Sequence, residues 1–320
     1  MTNVIITDTH FGVKNNSMTW FTSQSDFIYK QLIPYIKTIN DEVRLIHMGD
    51  VFDSRSTISI YIAKKVRQIF KDLSKVCDDI IIVAGNHDFY SPNSDEYDSL
   101  SLVLNNIENV RLVRKESYFI DNQLFIPWYE WDKIDINSYN EVQNGEVHYV
   151  FAHTNIVDID PGINKDIMVF SGHMHRPYMN GNRYNLGSCY SLDFSDCNSE
   201  RGFYVLYSDK RLEFIPNKYS IRFWRLKNEA IFDENNFKEW DYIELYITQS
   251  NMANSEYLTK INEYTKNFKN VWVIPMSNDN ALKDDVKFEG YDIESIINEC
   301  IPKELSDKFE QIKERLNGNI

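Results

Sequence analysis

The chain has 320 residues, 42% apolar and 14% aromatic, and lacks any apolar run of the roughly 18–20 residues a membrane helix needs, which excludes wholesale disorder and a membrane-spanning helix. The formal charge is −14, with 19 Asp and Glu against 10 Lys and Arg in residues 229–320. Such a surface disfavours a polyanion: nucleic acid held here needs metal, a local basic patch or a partner to supply positive charge.

VIIT (4–7) predicts a strand, and 24–39 a helix with Phe27, Ile28, Leu32, Ile36 and Ile39 on its apolar face. RLIHM (44–48) predicts a strand, 57–73 a helix, IIIVA (80–84) a strand and 97–107 a third helix. Strands alternating with helices imply βαβ units and a layered α/β core. From about 110 to 226 the pattern turns to strands (RLVRKESYFI, QLFIPW, VHYVFA, IMVF, FYVLYS, RLEFI, SIRFWRL), which a second sheet packed on the first would absorb. DYIELYITQ (241–249), a helix over 256–268 and NVWVIP (270–275) predict a compact strand–helix–strand unit. A polar linker (278–285) and two short helices split at Pro302 follow, the last with Leu305, Phe309, Ile312 and Leu316 on one stripe. The expected organisation is a core over 1–226, a small α+β unit over 229–277 and a linker with a helical tail over 278–320.

Cys77, Cys189, Cys197 and Cys300 are scattered, with no C-x-x-C, and predict ordinary reduced thiols. The opening MTNVIITDTH has no signal-peptide pattern, so a cytoplasmic protein is expected, in the host cytoplasm if the source is viral.

Five apolar runs end in polar clusters. VIIT runs into Asp8-Thr9-His10, RLIHM into Gly49-Asp50-Val51-Phe52-Asp53, and IIIVA into Gly85-Asn86-His87-Asp88; VHYVFA ends at His153, and IMVF runs on to Gly172-His173-Met174-His175. Ligand sites of open α/β sheets gather at the carboxyl ends of strands. Asp, Asn and His without Cys suit manganese, iron or zinc. The donors outnumber what one tetrahedral zinc takes, and a shared carboxylate can hold two cations about 3.5–4 Å apart, the arrangement used on phosphate esters. His47 and His148 predict no catalytic role.

DTH, GDVFD, GNHD, the isolated His153 and GHMH together resemble the signature of the calcineurin-like metallophosphoesterases. With DTHFGVK, GDVFDSR, LGSCYSLDFSD, ERGFYVLY and LEFIPN, the chain is most similar to the SbcD-type nuclease subunits, especially the recombination endonuclease subunits of tailed bacteriophages, over about residues 1–226. The resemblance implies a sandwich of two mixed β-sheets flanked by helices, with a cap at 229–277. It implies two divalent ions, Mn2+ first among them: one on Asp8, His10, Asp50 and His175, the other on Asp50, Asn86, His153 and His173. His87 would stabilise the phosphate or protonate the leaving oxygen, and Asp53 would orient a ligand histidine. Lys14, Arg55, Arg176 and Arg183 flank the motifs as candidate DNA contacts.

The implied function is a DNA exonuclease or endonuclease subunit acting in recombination, repair or DNA degradation with an SMC-like (SbcC-type) ATPase. The chain has no G-x-x-x-x-G-K-[ST] loop of its own, and the tail stripe would dock on that partner. DNA and the ATPase are the expected partners, a homodimer is allowed, and no membrane is involved. The alternatives are a stand-alone phosphatase or cyclic-nucleotide phosphodiesterase, and a non-catalytic scaffold on the same fold.

Overall fold

The computed structural model describes residues 1–91, 93–155, 163–232 and 237–276. The tail stripe of Leu305, Phe309, Ile312 and Leu316 lies outside the described residues.

In chain order the strands are β1 (Thr2–Ile6), β2 (Val43–His47), β3 (Asp79–Val83), β4 (Phe89–Ser91), β5 (Ser94–Asp98) and β6 (Val110–Val113). Next come β7 (Tyr118–Ile120), β8 (Gln123–Ile126), β9 (Tyr149–His153), β10 (Met168–Gly172), β11 (Tyr178–Asn180) and β12 (Arg183–Asn185). The last are β13 (Gly202–Leu206), β14 (Leu212–Pro216), β15 (Phe223–Lys227), β16 (Tyr242–Thr248) and β17 (Asn270–Met276). Two six-stranded sheets form, in the orders β14-β13-β1-β2-β3-β6 and β11-β12-β10-β9-β8-β7. Both are mixed: their central strands are parallel, while β13, β14, β7 and β11 run antiparallel to their neighbours.

Period-two alternation sorts the side chains into layers. Ile5, Ile46 and Ile81 join Phe125, Phe151 and Phe170 in one buried cluster between the sheets. There the rings of Phe125, Phe151, Phe170 and Tyr184 stack in sequence at 5.2, 5.1 and 5.2 Å. Their neighbours Val4, Leu45, Ile80 and Ile82 point the other way, into a cluster with the helices. On the helix Ile60–Leu73 the buried set is Ile62, Val66, Ile69, Phe70 and Leu73, a stripe at helical spacing. The outer face of the second sheet is covered by Trp131, Ile136, Ile163 and Ile167. The result is the helix–sheet–sheet–helix sandwich expected.

Two elements differ from the sequence reading. The helix expected over 24–39 starts at Met18 and passes through a π turn, Ile28–Leu32, before ending at Ile36. Pro34 lacks the N–H for an ordinary bond to the Lys30 carbonyl, and a wider turn ahead of it absorbs the mismatch. The helix expected over 97–107 forms only from Ser99 to Leu104, because β5 runs to Asp98. The Asp98 carboxylate accepts the Ser101 N–H at 2.6 Å and meets Arg114 Nη1 at 2.6 Å, which sets the helix start.

At the end of the sandwich away from the strands' carboxyl termini, buried Arg44 joins the two sheets. It donates to Asp79 at 2.7 Å, Asp121 at 2.8 Å and Gln123 Oε1 at 3.2 Å.

The third sheet, β15-β16-β17, is all parallel and backed by the helix Ser255–Thr265, with Ile243, Leu245, Ile247 and Ile261 buried between them. Its edge strand begins at Phe223, so the sheet reaches across the boundary expected at 226–229. Phe223 packs on Trp20, Phe194 and Tyr242, joining this unit to the sandwich.

Candidate metal centre

The carboxyl ends of β1, β2, β3, β9 and β10 converge on one edge of the sandwich. The loops after β1 and β2 are laced by backbone bonds: Asp8 N–H to Gly49 O at 3.0 Å, His10 N–H to Asp50 O at 3.0 Å, Phe11 N–H to Val51 O at 2.8 Å. Glycine permits the approach at two points. Gly49 has φ +100°, and a Cβ there would strike the His153 ring; a Cβ on Gly85 would strike the Asp50 carboxylate and backbone. Asp8, His10, Asp50 and His173 adopt left-handed φ of 51°, 43°, 52° and 80°. Each costs roughly 1–3 kcal/mol in a non-glycine residue and is held only because the surrounding loops over-determine it.

Three ligand groups result: Asp8, His10 and His175; Asp50, His153 and His173; and His10, Asp50 and His87. In the first, His10 Nε2 lies 3.8 Å from Asp8 Oδ1 and 3.2 Å from His175 Nε2. In the second, His153 Nε2 lies 3.4 Å from Asp50 Oδ1 and 3.0 Å from Asn86 Oδ1, and His173 Nδ1 is 2.9 Å from the same Asn86 oxygen. Asp50 belongs to both sides, since its Oδ2 is 3.7 Å from His10 Nε2. The two histidines of GHMH therefore go to different groups. The third group adds a neighbourhood that the motifs did not suggest: a ring nitrogen of His87 lies within ligand reach of His10 and Asp50.

These atoms fit divalent ions. Two donors each about 2.1 Å from one ion stand about 3.0–3.4 Å apart, the range of the closer spacings here. At 3.2 Å the Nε2 atoms of His10 and His175 can share a proton, and with that proton removed both lone pairs can turn on one ion. Tautomers are set for ligation as well. His153 donates its Nδ1–H to the Met48 carbonyl at 2.7 Å, leaving the Nε2 lone pair free to face Asp50 and Asn86. Asp53 Oδ1 stands 3.4 Å from His10 Nδ1, on the ring edge opposite the ligand atom.

The electrostatics are those of a cation site. Burial opposes ionisation of Asp50, yet His153, His10 and His87 hold its carboxyl well below the usual carboxylate range. Asp8 is lowered too, burial being outweighed by His10, His153 and His175. Against burial, Asp53, Asp8 and Asp50 push His10 up to about 10, and Asp50 and Asp8 push His153 up to about 9. His173 and His175 are lowered, chiefly by burial. Asp8, Asp50, His10 and His153 are all but sealed from solvent, whereas His87, His173 and His175 line the mouth.

Residues without an assigned role in the sequence reading complete the site. The buried carboxylate of Asp88 accepts the N–H groups of Val51 (3.0 Å), Phe52 (3.4 Å) and Gly85 (2.9 Å), tying the β2 loop to the β3 loop. Burial and the Asp50 charge push it up to about 7. Its signal was in the fourth position of GNHD. Trp128, just past β8, brings its ring to 4.8 Å from His173 and 5.9 Å from His153. The signal there was a further strand end, in QLFIPW. His47 is buried, its Nε2 2.9 Å from Thr9 Oγ1, and burial lowers it to about 3.

The flanking cations scatter. Arg176 is exposed beside His175, and Arg55 is half-buried two residues past Asp53. Lys14 turns its ammonium over Trp20, 5.9 Å from the ring centre. Arg183 pairs with Val169 at the start of β10, about 10 Å along the strand from Gly172. His148 is likewise at the far end of β9, 3.4 Å from Asn122.

The family model described as calcineurin-like phosphoesterase matches residues 1–177. Exonuclease subunit 1 of Enterobacteria phage T4 is 27% identical over 227 residues, covering 66% of this chain and 66% of that protein. Among solved structures, nuclease MPE of Pseudomonas putida overlaps 60% of this chain and 70% of its own, at 18% identity and a TM-score of 0.31, too loose a likeness to carry an argument.

Proposed function

The chain belongs to the calcineurin-like phosphoesterase family, and on that footing we propose that it is a Mn2+-dependent DNA nuclease subunit that hydrolyses phosphodiesters with two ions. One observation carries the reading: Asp50 stands between two ligand groups, His10 with Asp8 and His175 on one side, His153 with Asn86 and His173 on the other. The similarity to a phage exonuclease subunit supports DNA as the substrate and a second subunit as partner.

When bound, the metals supply Lewis acidity on the phosphate and activation of water. The residues hold this arrangement in place. Asp53 keeps the His10 ring turned so that Nε2 faces Asp8 and Asp50. His87 donates its backbone N–H to Asp50 Oδ1 at 2.8 Å, and its Nδ1 meets the Asp53 carbonyl at 2.5 Å. With Nδ1–H committed there, Nε2 is the atom that gives a proton to the leaving oxygen or stabilises the phosphate. Arg55 and Arg176, at the mouth, are the better placed of the expected phosphate contacts. In the same proposal the unit over 229–277 positions DNA, residues 278–320 dock on an SMC-like ATPase, and the pair acts in recombination, repair or DNA degradation.

The test is cleavage of single- and double-stranded DNA by the full chain with Mn2+, with and without the ATPase. Metal-dependent cleavage that the partner stimulates supports the reading. Brisk hydrolysis of a cyclic nucleotide or monoester with no DNA cleavage in either condition overturns it in favour of a small-substrate phosphoesterase.

A further inference from the structure

We infer that Trp128 contacts the substrate: its indole is the wall on which the nucleobase next to the scissile phosphate stacks. The inference rests on the nuclease reading above and names the contact by which a chain of charge −14 grips a polyanion. Stacking on an aromatic face is indifferent to the surface charge that weakens phosphate contacts, and is worth roughly five- to a hundred-fold in affinity per base.

The indole is placed and held for this. It flanks the group of Asn86, His153 and His173, with its centre 4.8 Å from the His173 ring, and it is half-buried, packed against the core on one side. Its turn is pinned on both sides. The Trp128 N–H donates to the Ala84 carbonyl at 3.0 Å, one residue before the β3 loop that carries Asn86 and His87. The adjacent Tyr129 donates its hydroxyl to the Ser91 carbonyl at 2.7 Å and packs edge-on against Phe89 at 4.8 Å. Pro127 ahead of it fixes the entry of the chain. A pre-set ring loses little entropy when a base lands on it.

The aromatic surface continues outward. Next to Phe89 on the β4–β5 hairpin, Tyr90 is 62% exposed, and Tyr97 on the facing strand is 65% exposed. Phe89 pairs with Asp98 and Ser91 with Ser94, and the bulge between these pairs falls where the two tyrosines lie. Two large aromatics left in water beside the turn that carries Trp128 give a strand leaving the metals a second place to stack.

The experiment uses the full chain loaded with Mn2+ and two diesters with the same leaving group, thymidine 5′-(p-nitrophenyl phosphate) and methyl p-nitrophenyl phosphate. Wild type is compared with W128A, W128L and W128F. The expected result is that W128A and W128L lose about ten-fold or more of the wild-type preference for the base-bearing ester, through KM more than kcat, while W128F keeps most of it. A second readout is fluorescence anisotropy of a labelled oligothymidylate and of an abasic oligomer of equal length, in an H87S background that does not turn over. There Trp128→Ala should weaken the first and spare the second. An unchanged preference and unchanged binding overturn the inference. So does an equal fall on both esters, which would make Trp128 a positioning residue for His173. Wild type that shows no preference for the nucleoside ester and cleaves no DNA sinks the nuclease reading itself, a separate outcome.

Discussion

The Asp88 carboxylate takes the backbone N–H of Val51 at 3.0 Å, so the loop that carries Asn86 and His87 holds the loop that carries Asp50. The two loops come from neighbouring parallel strands, and the bond spans 37 residues of chain. Asp88→Asn replaces one acceptor oxygen with an NH2 that faces N–H groups. It should cost roughly 1–3 kcal/mol of stability and lower metal affinity about 10–100-fold. Denaturant melts and metal titration check both. Unaltered affinity would make Asp88 a structural residue alone.

Asp50 is shared, and stoichiometry tests the sharing. Asp50→Asn should remove both ions, whereas His153→Ala and His175→Ala should each leave about one ion bound. Equilibrium dialysis with Mn2+ and elemental analysis give the count. A D50N protein that still holds two ions would refute the bridge.

His87 separates ligation from catalysis. His87→Ser should cut kcat by about 10²–10⁴-fold while both ions stay bound, as expected of a proton donor. Its ring also stands within ligand reach of His10 and Asp50. If the serine variant loses an ion in dialysis, His87 is a ligand instead.

The pH dependence should have opposite signs in the two forms. Without metal, His10 and His153 are raised to about 10 and 9 in the folded protein. Their stabilising contribution is then full below the unfolded value near 6.5 and is lost as pH climbs through 9 to 10. Metal takes the place of those protons, so Mn2+ affinity should rise over the same interval, with proton release on binding. Thermal melts with EDTA and calorimetry in buffers of differing ionisation heat resolve the two trends. Metal uptake without proton release would show that these rings are neutral beforehand.

At the far end of the sandwich, Arg44→Ala strands Asp79 and Gln123 without their partner and should cost about 3 kcal/mol. Because Arg44 lies away from the metal loops, kcat measured well below the melting point should hold. A matching loss of kcat would mean that the sheet-to-sheet clasp also sets the ligand geometry.

Much of the centre was legible in the sequence, and the reason is local. A strand that stops at Asp8-Thr9-His10 or at Gly49-Asp50 must present those side chains at its carboxyl end, and the continuous apolar run Val4, Ile5 and Ile6, buried on both faces, makes the strand readable. The order of five such ends pointed to one metal edge before any contact was known. The tertiary structure decided what depends on residues far apart in the chain. It determined that Asp88 ties two loops and that Trp128 reaches His173. It also set the end of β5 at Asp98, whose carboxylate caps the next helix and meets Arg114, and carried the third sheet back to Phe223. A propensity pattern records only neighbours within a turn or two, whereas, the Asp98 cap apart, these features are contacts between residues distant in the chain, which exist only once the sheets are paired.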